Sequence, residues 1–116
     1  MMKKKKSKGL KYDGGKAPLY LISTYAMEEL AKVLDFGQRK YAPFNWANGL
    51  HYSRVISAAK RHIANWEERQ DIDPESNCHH LAAALCNLMF ILDYNARGLA
   101  HLDDRRPVHT LKKKSK

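Results

Sequence analysis

Residues 52–97, YSRVISAAKRHIANWEERQDIDPESNCHHLAAALCNLMFILDYNAR, decide the fold. Tyr52, Val55, Ile56, Ala59, Ile63 and Trp66 fall at steps of 0, 3, 4, 7, 11 and 14. That spacing lines one face of a 3.6-residue helix, so Tyr52 to Arg69 is predicted helical. A polar loop, Gln70 to Asn77, follows. Leu81, Leu85, Leu88 and Leu92 then recur at heptad spacing, which predicts a second long helix from Cys78 to Arg97, closed by Gly98. The same helix carries Ala82, Ala83, Ala84, Met89, Phe90 and Ile91 away from its leucines. Apolar nearly all round, it needs cover on every side.

Upstream, Met27, Leu30, Ala31 and Leu34 repeat the helical spacing within Ser23 to Phe36. Ser23 or Thr24 can cap its start, and Gly37 can end it or bend it. Arg39 to Trp46 reads as an aromatic and basic connection, because Ala42 precedes Pro43 and is disfavoured in helix. Gly14, Gly15 and Pro18 mark a turn before the first helix. Leu99 to Pro107 is expected to be a short ordered extension holding Asp103 and Asp104 beside Arg105 and Arg106. Nothing reads as a sheet. The expected fold is all-α, a small bundle of three main helices forming one domain over residues 12–110. Three helices give a thin core, so homo-oligomerisation is expected to complete it.

Composition narrows the functional classes. With 44% apolar residues the chain is ordinary for a globular protein. No run of about 18 apolar residues exists, so no membrane partner is expected. The lysines after Met2 precede no apolar stretch of signal-peptide length, and the expected location is cytoplasmic. The net charge of +9 sits at the ends: six lysines in residues 1–11 and four in residues 111–116, with no acid in either. Residues 12–110 carry eleven basic and twelve acidic groups and are close to neutral. Basic, disordered tails at 1–11 and 111–116 are therefore expected, able to make weak, salt-sensitive contacts with nucleic acid. Cys78 and Cys86 form no CxxC pair and, on one helix, stand roughly 12 Å apart, too far for a disulfide.

Candidate chemistry gathers around the two long helices. His80, Ala83, Ala84 and Asn87 share a helix face, so alanines open a shelf between two polar groups. His62 lies at the edge of the apolar stripe, where a neutral imidazole can ligate a metal or move a proton. Asp71, Asp73 and Glu75 present oxygens at alternate loop positions, a pattern that suits magnesium or manganese. It lacks the glycine and final glutamate of an EF-hand. Tyr41 and Trp46 can stack on a base, Asn45 can bond it, and Lys40, Arg61 and Lys16 can meet phosphate. Lys16 follows two glycines, yet no Walker A pattern surrounds it. For each of these residues the competing role is structural: packed aromatics, a capping histidine, a helix-initiating loop at Asp73-Pro74.

Gly14-Gly15-Lys16-Ala17-Pro18, Phe36-Gly37 with Lys40-Tyr41 and Asn45-Trp46, Arg61-His62 with Trp66, Asp71-Ile72-Asp73-Pro74-Glu75-Ser76 and His79-His80-Leu81-Ala82 occur in this order. Together they resemble a phage family described as the dATP/dGTP diphosphohydrolase N-terminal domain, over roughly residues 10–106. The resemblance implies hydrolysis of a deoxynucleoside triphosphate to a monophosphate and pyrophosphate, near the all-helical MazG-like enzymes. Those enzymes bind magnesium through ExxE on one helix and ExxD on the next. Here His62, Glu67 and Glu68 stand on one helix, and His80 and Ala83 on the other. A metal would rest on His62, Asp73, Glu75 and His80, with Glu67 in reach, and Glu75 and His80 would serve catalysis. Lys16, Lys40, Tyr41, Asn45, Trp46, Arg61 and Asn87 would bind the nucleotide. Two further readings stay open: a nucleotide-binding or sequestering module without turnover, and a basic-tailed nucleic-acid accessory protein. The first two require His62, His80 and the acidic loop to converge.

Overall fold

A computed structural model describes residues 14–107; the tails expected at 1–11 and 111–116 lie outside the described residues. Three helices carry the chain: α1 (Thr24–Lys40), α2 (Tyr52–Glu67) and α3 (His80–Ala96). Short 3-10 turns stand at Leu19–Leu21, Asn45–Asn48 and Ala100–Leu102. The architecture is the expected all-α bundle. No helix among the described residues is long and apolar enough to cross a membrane.

The loop before α3 holds more order than its sequence suggests. β1 (Ile72–Asp73) and β2 (Cys78–His79) form a two-residue antiparallel ladder, pairing Ile72 with His79 and Asp73 with Cys78. The expectation of no strand is corrected here. Asp73 closes the turn twice: its side chain accepts from the Glu75 amide at 3.0 Å, and its carbonyl accepts from Asn77 at 2.7 Å. Asn77 takes the left-handed conformation (φ 61°) that asparagine tolerates better than most residues. The ladder consumes Cys78 and His79, so α3 begins at His80. The His79 side chain then caps α3, its Nδ1 accepting from the Leu81 amide at 3.0 Å.

α1 begins as expected, with the Ser23 hydroxyl accepting from the Ala26 amide at 3.1 Å. It runs through Gly37 to Lys40, beyond the end expected at Phe36. An internal glycine costs about 1 kcal/mol relative to alanine. Local bonds offset that: Arg39 pairs with Asp35 at 2.6 Å, and Gln38 donates to Asp35 at 2.9 Å. Arg39 and Lys40 also place positive charge at the negative end of the helix dipole.

α2 borrows its cap. His51, at its N-cap, makes no side-chain capping bond. Asp104 supplies one from the far end of the domain, accepting from the Ser53 amide at 2.8 Å and the Ser53 hydroxyl at 2.6 Å. These donors hold the Asp104 carboxyl below its ordinary range. Arg105 does the same to Asp103, which is pushed down to about 2. A carboxylate depressed in the folded state stabilises fully above its unfolded value, near 4, and the benefit disappears as pH falls through the folded value. Thermal unfolding followed by circular dichroism should therefore show the protein weakening below about pH 4. Asp104→Asn should start less stable and lose less on acidification. Identical acid slopes in the two proteins would refute the role of Asp104.

The core centres on Tyr94, which is wholly buried, with Tyr52, Val55 and Leu102 around it. Trp46 stacks on Phe90 at 5.0 Å and 12°, and Tyr52 stacks on Tyr94 at 6.4 Å. The Tyr94 hydroxyl donates to the Trp46 carbonyl at 2.6 Å, fastening the connecting segment to α3. Gly49, at φ 101°, lets Leu102 close over this cluster. A Cβ there would meet Leu102 Cδ1 at 2.8 Å.

Beside Tyr52, Val55, His80 and Tyr94, the buried residues of α2 and α3 are small: Ala59 on α2 and Ala82, Ala83, Ala84 and Cys86 on α3. Small side chains let two helix backbones approach closely, which leaves no place for leucine between them. Leu81, Leu85, Leu88 and Leu92 accordingly face outward, 39%, 42%, 48% and 73% exposed. α1 has no fully buried residue. It leans on the α2–α3 pair without filling the space between them.

Candidate functional site

That unfilled space is a cavity of about 690 Å³ walled by α1, the connecting segment, α2 and α3. Phe36, Tyr41, Phe44, Trp46 and Phe90 give it an aromatic lining. His62, Asp73, Glu75, Asn45 and Asn87 give it a polar wall. Pockets of this size and make-up suit a small organic ligand with a few oriented polar groups.

Behind the polar wall lies the closest contact between titratable groups in the core. His62 Nδ1 and His80 Nδ1 stand 2.8 Å apart, one on α2 and one on the first residue of α3. Two features hold His80 there: the helix packing around it, and a backbone bond from its amide to the Asp71 carbonyl at 2.8 Å. The β-ladder brings Asp73 to the same point. One ligand atom from each of His62, Asp73 and His80 lies within 4.8 Å of the others.

Protonation favours ligation. Burial, the neighbouring His80 and the Arg61 charge lower the His62 pKa, against an opposing pull from Asp73 and Glu75. His62 is therefore held neutral at physiological pH, as metal binding requires. With one proton between them the two Nδ1 atoms share a hydrogen bond; with none they are two lone pairs aimed at one place. His80 is 2% exposed, and its Nε2 is buried with no hydrogen-bond partner. A buried imidazole nitrogen left unpaired costs roughly 1–3 kcal/mol, which points to a role outside stability. Cys86 lines the cavity too. Burial pushes its thiol up to about 12, and it is not part of the His62–Asp73–His80 cluster.

The remaining residues singled out in the sequence fall into three places. Glu75 faces the cavity with its Oε2 bound by Lys40 at 2.7 Å. Lys40, whose Nζ lies 5.8 Å from the Phe36 ring centre and 5.5 Å from that of Tyr41, thus meets the site through a carboxylate. Asn87 lines the cavity while its Nδ2 donates to the Ala83 carbonyl at 3.0 Å. Trp46 already has Phe90 on one face, and Tyr41 is 64% exposed. Arg61 lines a second hollow that adjoins the cavity, while Lys16 lines neither. Glu67, within reach on the sequence pattern, is not in the metal-ligating cluster.

Sequence reading missed the aromatic wall supplied by Phe36, Phe44 and Phe90, and the Arg54 and Ser57 side of α2. Arg54, Ser57, Ala58 and Arg61 stand at 0, 3, 4 and 7, a polar face whose periodicity was legible.

A family model described as dATP/dGTP diphosphohydrolase, N-terminal, matches residues 6–105. A dATP/dGTP diphosphohydrolase of Salmonella phage PMBT28 is 44% identical over 98 residues, covering 84% of this chain. The chain spans about a third of that relative's length, 33%. No solved structure matches.

Proposed function

Because the chain belongs to the family of dATP/dGTP diphosphohydrolase N-terminal domains, we propose that it hydrolyses a purine deoxynucleoside triphosphate with a divalent metal. The observation that carries this reading is the 2.8 Å His62–His80 pair, with Asp73, beside a cavity lined by aromatic rings. Water adds at the α-phosphorus, the bond to the bridging oxygen breaks, and monophosphate, pyrophosphate and a proton leave. A divalent ion supplies charge neutralisation for the phosphates and activation of the water.

In this reading His62, His80 and Asp73 hold the ion. Two imidazole nitrogens and one carboxylate suit a first-row transition ion such as manganese better than magnesium, which prefers oxygen ligands. Glu75, kept in place by Lys40 and outside the His62–Asp73–His80 cluster, would accept the proton from water. Tyr41 and Trp46 bound the base, with Asn45 and Asn87 as hydrogen-bonding groups. Lys40 and Arg61 balance the phosphate charge.

The test is a product assay. Full-length protein is incubated with each deoxynucleoside triphosphate and either manganese or magnesium, and the products are separated. Monophosphate with pyrophosphate from dATP or dGTP, faster with manganese, is the expected result. Intact ligand after prolonged incubation, with either ion, would overturn it. One observation favours a second reading, binding without turnover: His62, His80 and Ala83 stand on the two long helices where the MazG-like enzymes carry acid pairs. Tight binding of unhydrolysed nucleotide would support that reading.

The outward leucines suggest self-association, with a second copy covering Leu81, Leu85, Leu88 and Leu92 as a heptad seam. Light scattering should give a mass above that of one chain, and Leu88→Glu should return it to monomer. A monomeric parent protein would remove the proposal. The lysine tails add the capacity for weak nucleic-acid contacts, which rising salt should abolish.

A further inference from the structure

On the outer side of α2, next to the aromatic cavity, lies a second hollow of about 440 Å³. Arg54, Ser57 and Arg61 line it from α2, and Asn87 from α3. Ala58 and Asn87 border both spaces, so the two hollows adjoin across them. Among the described residues no carboxylate lines the second hollow. Arg39, Arg97 and Arg105 each pair with an aspartate, whereas Arg54 and Arg61 have no salt-bridge partner among the described residues. Asp104, bound to the lining residue Ser53, is already matched by two donors of that residue.

Two guanidinium groups without partners, two helical turns or roughly 10 Å apart, concentrate positive charge along one strip of α2. A guanidinium presents a planar fork of donors that meets phosphate oxygens two at a time. One such group suits a single anion. Two, with a hydroxyl between them, suit a chain of linked anions.

We propose that Arg54 and Arg61, assisted by Ser57 and Asn87, form a subsite for the polyphosphate tail of a nucleotide. The base and sugar occupy the aromatic cavity, and the chain of phosphates crosses Ala58 into the second hollow. The linkage to be cut then lies at the boundary, beside His62. This placement rests on the proposed nucleotide reading, but the anion subsite stands on its own geometry. Arg54 is the new element; it binds the leaving pyrophosphate portion and does not touch the metal-ligating cluster.

The probe is inorganic tripolyphosphate, titrated calorimetrically into full-length protein with a chelator present. The parent protein should bind it. Arg54→Gln and Arg61→Gln should each weaken binding roughly tenfold to a hundredfold, the worth of a charge-assisted contact. Lys60→Gln, which removes a neighbouring exposed charge of α2 that lines neither hollow, should leave it unchanged, and both arginine variants should bind deoxyguanosine, which has no phosphate, as the parent does. Both arginines are exposed on α2, so melting curves should match and a folding defect should not intervene. Equal tripolyphosphate affinity in Arg54→Gln and parent would assign the binding to the lysine tails and overturn the subsite. So would absence of binding by the parent. Absence of hydrolysis in the product assay would remove the catalytic reading alone, since tripolyphosphate binding is scored without turnover.

Discussion

Replacing His80 with alanine should abolish metal binding and reduce turnover roughly a hundredfold or more, since even outer partners of metal ligands are worth 10–100-fold. The reasoning is geometric. His62 is only half-buried, but His80 is 2% exposed, and its side-chain hydrogen bond among the described residues is the 2.8 Å approach to His62. Its removal leaves one imidazole and one carboxylate, too few protein ligands to hold an ion firmly. Folding and ligation can be separated by melting curves. An ion present at about a hundred times its dissociation constant stabilises the folded state by about 2.7 kcal/mol. Manganese should therefore raise the melting temperature of the parent protein and leave that of His80→Ala where it was. A full manganese-dependent rise in His80→Ala would remove His80 from the site, whatever the variant's basal stability.

The second large effect concerns stability. Tyr94→Ala should cost about 3–5 kcal/mol, the usual penalty for deleting a buried aromatic ring. Domains of this size have only about 5–15 kcal/mol to lose. Tyr94 is wholly buried, stacks on Tyr52 and Phe90, and holds the Trp46 carbonyl through its hydroxyl. Tyr94→Phe keeps the ring and leaves that carbonyl unpaired, so it should cost less, roughly 1–3 kcal/mol. Urea unfolding read by tryptophan fluorescence gives both values. A Tyr94→Ala protein as stable as the parent would mean that the aromatic cluster is not the core.

The convergence of His62 and His80 was readable because His62 sits at the edge of the apolar stripe of α2, and His80 shares a face with Ala83 and Ala84, which α3 buries. The leucines of α3 misdirect a reader. A stripe of Leu81, Leu85, Leu88 and Leu92 outweighs its neighbours in hydropathy, yet Ala82, Ala83 and Ala84 are the residues α3 buries, because closeness between helices depends on small volume. The two-residue ladder at Ile72–Asp73 and Cys78–His79 is too short to show alternation, although it sets Asp73 beside the imidazoles. Nor does any local signal join Ser53 to Asp104, which are 51 residues apart. Local patterns identify helices; they do not reveal a cap supplied from a distance.

Lys40 and Glu75 illustrate a related point. Each looked like an independent site residue, one for phosphate and one for metal and catalysis. Joined at 2.7 Å across 35 residues, they are one neutral unit on the cavity's edge. Any ligand that recruits either must contend with the other.

The Ser53–Asp104 fastening has a practical side for anyone grafting this unit onto a different protein. The residue that secures the beginning of α2 arrives almost last, within two positions of the end of the family match at residue 105. A joint placed between Ala96 and Asp104 would cut off the clasp while leaving all three helices in the gene. Excised pieces should therefore run through Arg105, and shorter ones should fray first at Tyr52 and Ser53, far from the cut in sequence.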